Sequence, residues 1–445
     1  MTTLRDYQLE AIDRVRGLMK SGKRRVCAVL PTGTGKTKTA AEVVRRSVGA
    51  GRRVLWFAHR AELVDQAAAD LTSHGLIVGG VSASASLPPN PFAPIQVATI
   101  QTLLSRNKRP PADLIVADEA HHYVADEFVT VLEDYPEALV LGLTATPERS
   151  DGRGLGEIFD GLVIGITARR AIDSGYLVPC EVMRPAKLLD SGKLAQNPID
   201  AYVEHAADRK AIVFARTIEL AEQYAAEFKL RGIHAACISA ETPWAERSIY
   251  LDAFKRGTVR VLTNVFALTE GLDVPDVSCV ILARGFGSAG PYIQAAGRAL
   301  RLSPNKRDAM ILDLRGVSHE LGRPDDDRVY SLDGRGIRLS DEHVYCPVCG
   351  APREPGQPCS ACGWKPATED KVDAFTGDKL EKYARIRQDD DGGRAKRLAK
   401  WMKVGVEAGY KPNWALAKFR AVYGMWPPNN IQRRAKEINE TQEVA

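Results

Sequence analysis

The sequence lacks a long hydrophobic run. No stretch of about 18 consecutive apolar residues occurs in the chain, so we expect no transmembrane helix. The amino-terminal segment MTTLRDYQLEAIDRVR carries charges where a secretory signal would be apolar. These two absences predict a soluble, intracellular protein with no membrane partner.

Cysteine is scarce, with eight residues in 445. Four of them, Cys27, Cys180, Cys237 and Cys279, stand alone in the sequence. Isolated cysteines in a reducing compartment are more often small buried side chains than disulfide partners, so we assign these four no role. The other four fall within seventeen residues, which indicates metal ligands.

A strong excess of one charge is also missing from the chain as a whole. Lys and Arg number 61 against 56 Asp and Glu, a formal net charge of +5. Hydrophobic residues make up 44% of the chain, which excludes a mostly disordered protein and can supply a core for each of several domains.

Short β-rich runs alternate with helical patterns up to about residue 167, and the same alternation restarts after GYLVPCEV. This order is typical of parallel sheets covered by helices, so we predict two tandem α/β domains. The predicted divisions are a first domain at 1–170, a second at 171–325, a connector at 326–343, a cysteine cluster at 344–366 and a basic helical tail at 367–445.

The segment LPTGTGKT follows the predicted strand VCAVL and opens a predicted helix. In this context the glycines allow backbone N–H groups to surround a phosphate, Lys36 neutralises phosphate charge and the Thr37 hydroxyl ligates Mg²⁺. Leu30 stands where the usual pattern has glycine. The predicted nucleotide-binding residues of this loop are Thr32, Gly33, Thr34, Gly35, Lys36 and Thr37.

Asp118 and Glu119 end the apolar run LIVA, at the predicted carboxyl edge of the sheet. We expect Asp118 to hold Mg²⁺ and Glu119 to orient and deprotonate the attacking water.

With these residues the chain resembles a superfamily-2 helicase or translocase of the DEAH-type group, over residues 4 to 315. The resemblance implies two tandem RecA-like domains that hydrolyse ATP between them. In the Q-motif-like segment LRDYQ it implies that Gln8 reads the adenine edge while Arg5 or Tyr7 packs on the ring. It also implies that Thr144 and Thr146, in LTATP, couple nucleotide state to strand binding.

The same resemblance suggests which residues contact nucleic acid and which complete the ATP site. AHRAEL and ATIQT resemble motifs Ia and Ib, AIVFAR resembles motif IV, TN through EGLDVP resembles motif V, and QAAGRALR resembles motif VI. The implied nucleic-acid contacts are His59, Arg60, Thr99, Gln101, Arg216, Thr263 and Asn264. Gly271 and Asp273 are implied at the nucleotide, Gln294 in coupling, and Arg298 and Arg301 as arginine fingers on the γ-phosphate.

Cys346, Cys349, Cys359 and Cys362 form the pattern C-x₂-C-x₉-C-x₂-C, with a glycine after each pair. Four thiolates in two such knuckles predict a closed structural Zn²⁺ site, with an iron–sulfur centre as the alternative. A helicase core followed by such a ribbon resembles RadD-like bacterial repair proteins and phage-encoded helicases, which implies the cytoplasm of a bacterial or phage-infected cell.

Positive charge is concentrated near the end of the chain. Between Arg394 and Lys436 there are eleven Lys or Arg and one acidic residue, Glu407. This excess predicts phosphate binding. The interleaved tryptophans, Trp401, Trp414 and Trp426, fit either a small helical core, which we favour, or stacking on bases.

These features predict an ATP-dependent DNA helicase or translocase that uses ATP, Mg²⁺ and Zn²⁺. The expected partners are single-stranded, forked or duplex DNA, with repair or replication proteins as further candidates. An RNA helicase, or an ATP-gated DNA-binding or remodelling factor that does not unwind, are the alternatives.

Overall fold

A computed structural model describes residues 4–59, 61–81, 89–106, 109–123, 125–147, 154–190, 192–268, 273–333, 337–338, 344–345, 352–353, 374–383, 395, 398–403, 415–416, 427 and 429–443.

The first domain is built on a seven-stranded parallel sheet. Its strands are β1 (Arg25–Val29), β2 (Val54–Ala58), β3 (Val78–Gly80), β4 (Ile95–Thr99), β5 (Leu114–Ala117), β6 (Leu139–Thr144) and β7 (Gly161–Ile164). Their spatial order is β3-β4-β2-β5-β6-β1-β7. Every pairing is parallel, so the carboxyl ends of all seven strands lie at one edge.

Helices cover both faces of this sheet. They are α1 (Asp6–Lys20), α2 (Lys36–Gly49), α3 (Ala61–Ser73), α4 (Ile100–Arg106) and α5 (Ala125–Glu133). Alternate residues of a strand point to opposite faces. Trp56 accordingly packs with α1, α2 and α3, whereas its neighbour Phe57 packs with α4 and α5.

Helix α6 (Ala168–Asp173) connects the domains, and the second domain begins at β8 (Cys180–Arg184). The remaining strands of the second sheet are β10 (Ala211–Ala215), β11 (Ala235–Ile238), β12 (Val261–Asn264), β13 (Cys279–Ala283), β14 (Ala309–Asp313) and β20 (Glu381–Lys382). Their order is β11-β12-β10-β13-β14-β8-β20, and only β20 runs antiparallel to its neighbour.

Helices also lie on both faces of the second sheet. They are α7 (Pro198–His205), α8 (Ile218–Leu230), α9 (Trp244–Arg256), α10 (Ala289–Gly297) and α11 (Ser318–Leu321). Helices α7 and α8 pack on one face, and α9 and α10 on the other. The prediction of two tandem α/β domains is confirmed.

The segment after the cysteine cluster returns to the second domain. Strand β19 (Ala374–Phe375) pairs with β9 (Lys193–Leu194), and β20 adds the seventh strand to the sheet. Tyr383 donates its N–H to Val182, and the Arg184 guanidinium lies 3.4 Å from the centre of its ring. The predicted tail therefore begins later than residue 367.

The chain between the second domain and the cysteine cluster touches the first domain. Strand β15 (Arg328–Val329) pairs with β16 (Ile337–Arg338). Between them, the Leu332 carbonyl accepts a hydrogen bond of 2.7 Å from the Gly156 N–H. The predicted connector is thus a hairpin that contacts both domains.

The described parts of the tail form a small helical core that includes helix α12 (Asn429–Glu443). Trp401 is 6% exposed and packs there with alanine, leucine and isoleucine side chains, so for this tryptophan the core interpretation is confirmed. Trp414 and Trp426 lie outside the described residues. None of the helices in the described ranges is long and apolar enough to cross a membrane.

Candidate active site in the cleft between the domains

The loop LPTGTG joins β1 to α2. Gly33 (φ +86°) and Gly35 (φ +83°) adopt the left-handed conformation, which strains any residue with a Cβ. Thr34 closes the turn by donating its N–H and its hydroxyl to the Pro31 carbonyl, at 3.1 and 2.7 Å. Left-handed residues in such a turn direct successive N–H groups towards an anion, as the sequence predicts.

This loop forms one wall of a cavity of about 360 Å³ between the domains, a volume typical of small-molecule sites. Residues predicted at the nucleotide line it from both domains: Arg5, Thr32, Gly33, Gly35, Lys36, Thr37, Asp118, Glu119, Asp273, Arg298 and Arg301. The Thr34 side chain is fully buried and does not line the cavity. Gly271 lies outside the described residues.

Lys36 and Glu119 form an ion pair in this cavity, with 3.1 Å between Nζ and Oε1. Both side chains are at most 15% exposed. A bound phosphate would compete with Glu119 for Lys36. The ion pair neutralises two largely buried charged groups.

Two of the Q-motif-like residues, Tyr7 and Gln8, hold the loop in place. Gln8 is 3% exposed, and its Nε2 donates to the Thr34 and Gly35 carbonyls at 3.2 and 3.3 Å. Tyr7 is 2% exposed and donates to the Thr34 carbonyl at 2.5 Å; burial raises the pKa of Tyr7. Of the three residues expected at the adenine, Arg5 lines the cavity, whereas Tyr7 and Gln8 lie behind the loop.

The second domain contributes Arg298 and Arg301. Helix α10 ends at Gly297 and a 3₁₀ turn follows, so both arginines lie beyond the α-helix, and both line the cavity. Arg301 pairs with Asp273 at 2.8 Å. Burial lowers the pKa of Arg301, and the Asp273 and Glu119 carboxylates oppose that shift.

A hydrogen-bonded chain crosses from one domain to the other. His121 Nδ1 lies 3.0 Å from the Thr144 hydroxyl, and His121 Nε2 lies 3.0 Å from Gln294 Nε2. With the Gln294 amide donating, Nε2 accepts and the imidazole proton sits on Nδ1, facing Thr144. The Thr144 hydroxyl in turn donates to the Thr146 carbonyl. Thr144 and Gln294 thus meet at His121, and Thr146 joins them through the Thr144 hydroxyl. Sequence reasoning had not included His121 among the site residues.

Sequence reasoning also missed two residues of α3, Gln66 and Asp70, which line the cavity. Burial raises the pKa of Asp70, and the Asp273 carboxylate adds to that shift. Their spacing of four residues places both on one face of a helix, but no local pattern shows that this face borders the cleft.

The two walls of the cleft match two family models. Residues 1–149 match the type III restriction enzyme, res subunit, and residues 194–303 match the helicase conserved C-terminal domain. The chain belongs to superfamily 2 of the helicases. The predicted resemblance to superfamily-2 helicases is confirmed, and with it a nucleic-acid-dependent ATPase.

Relatives of this superfamily-2 helicase differ in length. A 51.5 kDa protein of Lactococcus phage (isolate 7-9) is 29% identical over 417 residues, 88% of each chain. The putative mitochondrial ATP-dependent helicase irc3 of Schizosaccharomyces pombe is 29% identical over 359 residues, 71% of this chain and 58% of the yeast protein.

A solved structure shows the same fold. The ATP-dependent Type ISP restriction-modification enzyme LlaBIII bound to DNA aligns with a TM-score of 0.55 at 19% identity, over 70% of this chain and 27% of that one. This likeness confirms the pair of RecA-like domains. The helicase thus spans little more than half of the yeast protein and about a quarter of the restriction enzyme.

The residues expected to contact nucleic acid in this helicase fall into two groups. His59, Thr99 and Arg216 lie at the carboxyl ends of strands, and Gln101 is exposed in the first turn of α4. Thr99 is 7% exposed, and its hydroxyl lies 2.8 Å from that of Thr102. Arg60 lies outside the described residues.

Thr263 and Asn264 form the second group, and their side chains point into the second domain. Both are fully buried. Thr263 donates to the Ala221 carbonyl at 2.6 Å, and Asn264 donates to the Val213 carbonyl at 3.0 Å. Their role here is to hold β12 against α8 and β10.

The four clustered cysteines of this helicase, Cys346, Cys349, Cys359 and Cys362, lie outside the described residues. Strands β17 (Val344–Tyr345) and β18 (Pro352–Arg353) pair antiparallel on either side of the first C-x₂-C pair. Within the described ranges no group of three or more His, Cys, Asp or Glu is arranged to hold a metal. Of the isolated cysteines, Cys27 and Cys279 are fully buried, and burial raises the pKa of each to about 12.

Proposed function

We propose that this superfamily-2 helicase is an ATP-dependent DNA helicase or translocase. The observation that carries the proposal is the composition of the cavity, with Lys36 and Glu119 on one wall and Arg298 and Arg301 on the other. A triphosphate would be fully surrounded only while the domains are closed. Binding and hydrolysis would then shift the chain between closed and open arrangements, which is the basis of movement along a strand.

The residues around the cavity divide the chemistry between them. Lys36 neutralises phosphate charge, Glu119 orients and deprotonates the attacking water, and the two arginines stabilise charge on the transferring phosphoryl group. Thr37 and Asp118 line the same cavity with hydroxyl and carboxylate oxygens, the donors that Mg²⁺ prefers. These two residues would hold the ion, which shields phosphate charge when bound.

Two observations support DNA as the nucleic acid. The first domain matches the model of a restriction-enzyme subunit, and the structurally similar Type ISP enzyme is bound to DNA. The segment from Arg394 to Lys436 adds a local charge of about +10, which suits a phosphate backbone.

For the cysteine cluster we propose a structural Zn²⁺ site formed by Cys346, Cys349, Cys359 and Cys362. The antiparallel β17–β18 pairing supports it, because these two strands flank the first C-x₂-C pair in the sequence. One zinc per chain in the purified protein, lost in Cys359→Ser with the ATPase rate retained, is the expected result. Iron in place of zinc would favour the iron–sulfur alternative.

The deciding experiment measures the steady-state ATPase rate without nucleic acid and then with single-stranded DNA, duplex DNA, forked DNA and RNA, at one salt concentration. Stimulation by DNA together with displacement of a labelled strand is expected of a helicase. Stimulation without displacement on any fork would indicate a translocase or an ATP-gated factor. Stimulation by RNA alone would refute the DNA assignment.

A further inference from the structure

Three neighbouring histidine rings, termed the histidine stack, lie beside the Glu119 carboxylate, with one pair stacked and the other tilted. The His59 and His122 ring centres are 4.1 Å apart with 30° between their planes, and those of His121 and His122 are 4.1 Å apart at 43°. His122 is therefore the middle ring of the three.

The fold explains why residues so far apart in sequence meet here. Strands β2 and β5 are parallel neighbours in the sheet, so their carboxyl ends lie side by side. His59 follows β2 directly, and His122 ends the 3₁₀ turn Ala120–His122 that follows β5. The stack thus joins the segment expected to bind nucleic acid to the turn that carries Glu119.

The far end of the stack contacts the catalytic machinery. His121 Nδ1 lies 3.5 Å from Glu119 Oε2. The other contacts of His121, to Thr144 and Gln294, reach the coupling segment and the second domain. The backbone N–H of His122 also donates to the Glu119 carbonyl at 3.0 Å. A movement of His122 can therefore shift Glu119 both through the His121 ring and through the main chain.

Glu119 has a backbone that can respond to such a displacement. Its φ of 49° and ψ of 56° lie in the left-handed region, which is unfavourable for a residue with a side chain. Strained backbone persists only where neighbours enforce it. A small shift in the turn can therefore exchange this conformation for another and redirect the carboxylate.

We propose that His122 is a positioning residue that transmits strand binding at His59 to Glu119 through contact among the three histidine rings. The proposal rests on the nucleic-acid-dependent ATPase activity described above. It assigns the coupling to ring contact and not to a hydrogen bond made by the His122 imidazole. An aromatic ring without nitrogen should therefore substitute for it.

The test compares wild type, His122→Ala and His122→Phe as full-length chains, with (dT)₃₀ as the probe. His122 is exposed, which favours folding of both variants. The readout is the ratio of kcat with saturating (dT)₃₀ to kcat without it. We expect His122→Ala to lower this ratio by about 5-fold or more, the lower range of measured site-to-site couplings. His122→Phe should keep the ratio within about 2-fold of wild type, because a phenyl ring can stack on both neighbours.

His234→Ala is the matched control, since His234 is an exposed histidine that precedes β11 in the second domain. Its ratio should equal that of wild type. A purely structural role of His122 would lower both rates together and leave the ratio unchanged, which would overturn the proposal. Equal losses in His122→Phe and His122→Ala would also overturn it, because ring contact would then not be the cause. A wild type that no nucleic acid stimulates would instead refute the underlying activity, and the coupling with it.

Discussion

Gly297 packs against the phosphate-binding loop from the opposite domain, and its replacement by alanine tests whether this closed cleft is the catalytic arrangement. Gly297 has helical φ and ψ of −59° and −19°, so alanine meets no backbone strain there. An ideal Cβ at this position would lie 2.9 Å from the Thr32 Cβ. Carbon atoms pack at about 3.5–4.0 Å, so the overlap amounts to roughly 0.6–1.1 Å.

The overlap cannot be relieved by a rotamer change, because a Cβ is fixed to the main chain. Gly297→Ala must therefore push the segment bearing Arg298 and Arg301 away from Lys36 and Glu119 by up to about 1 Å. A misplacement of about 1 Å can lower a rate by about 100-fold, or close to 3 kcal/mol in the activation free energy. We expect kcat to fall by about that factor, with the unfolding temperature unchanged.

The assay is steady-state ATP hydrolysis at saturating ATP and DNA, with thermal unfolding measured on the same samples. Gly17→Ala is the control, because Gly17 lies on the exposed side of α1 with no atom within 4 Å of an added Cβ. It should leave kcat unchanged and stabilise the helix by up to about 1 kcal/mol. If Gly297→Ala keeps kcat within about 2-fold of wild type, the packed cleft described here is not the arrangement in which ATP is hydrolysed.

Three further predictions concern single side chains. Glu119→Gln should retain ATP binding but lose turnover by at least about 100-fold, because an amide cannot accept the proton of water. Equilibrium binding measures the affinity for ATP, and single-turnover hydrolysis measures the rate of the chemical step. Retained turnover would exclude Glu119 as the base. Gln8→Ala should weaken ATP binding by about 5- to 10-fold, since it frees the Thr34 and Gly35 carbonyls, whereas Gln223→Ala, which removes an exposed contact to Glu227 on α8, should not. Burial lowers the pKa of Lys306 to about 7, and its Nζ donates to the Pro275 and Val277 carbonyls. The unfolded lysine keeps its proton to about pH 10.5, whereas the folded one loses it near pH 7. The free energy of unfolding of wild type relative to that of Lys306→Met should therefore rise by about 2 kcal/mol from pH 7 to 9. Parallel curves of unfolding free energy against pH for the two proteins would contradict this.

The pattern of the sequence predicted the two α/β domains and most of the residues that line the cleft. Glycine, lysine and threonine at fixed spacing after a strand, and paired carboxylates after another, are local signals, because a phosphate-binding loop and a strand end are each formed by a few consecutive residues. The closing arginines were also predicted, since QAAGRALR is itself a continuous segment.

The tertiary structure decided how polar side chains are used where distant segments meet. Gln8 holds the phosphate-binding loop, and Thr263 and Asn264 are buried against α8 and β10, because each finds backbone carbonyls supplied by another element. The return of residues 381–382 to the second sheet and the stack of three histidines depend likewise on which strands become neighbours. A local sequence pattern determines which chemical groups a segment carries, whereas burial and strand order determine which other residues those groups contact.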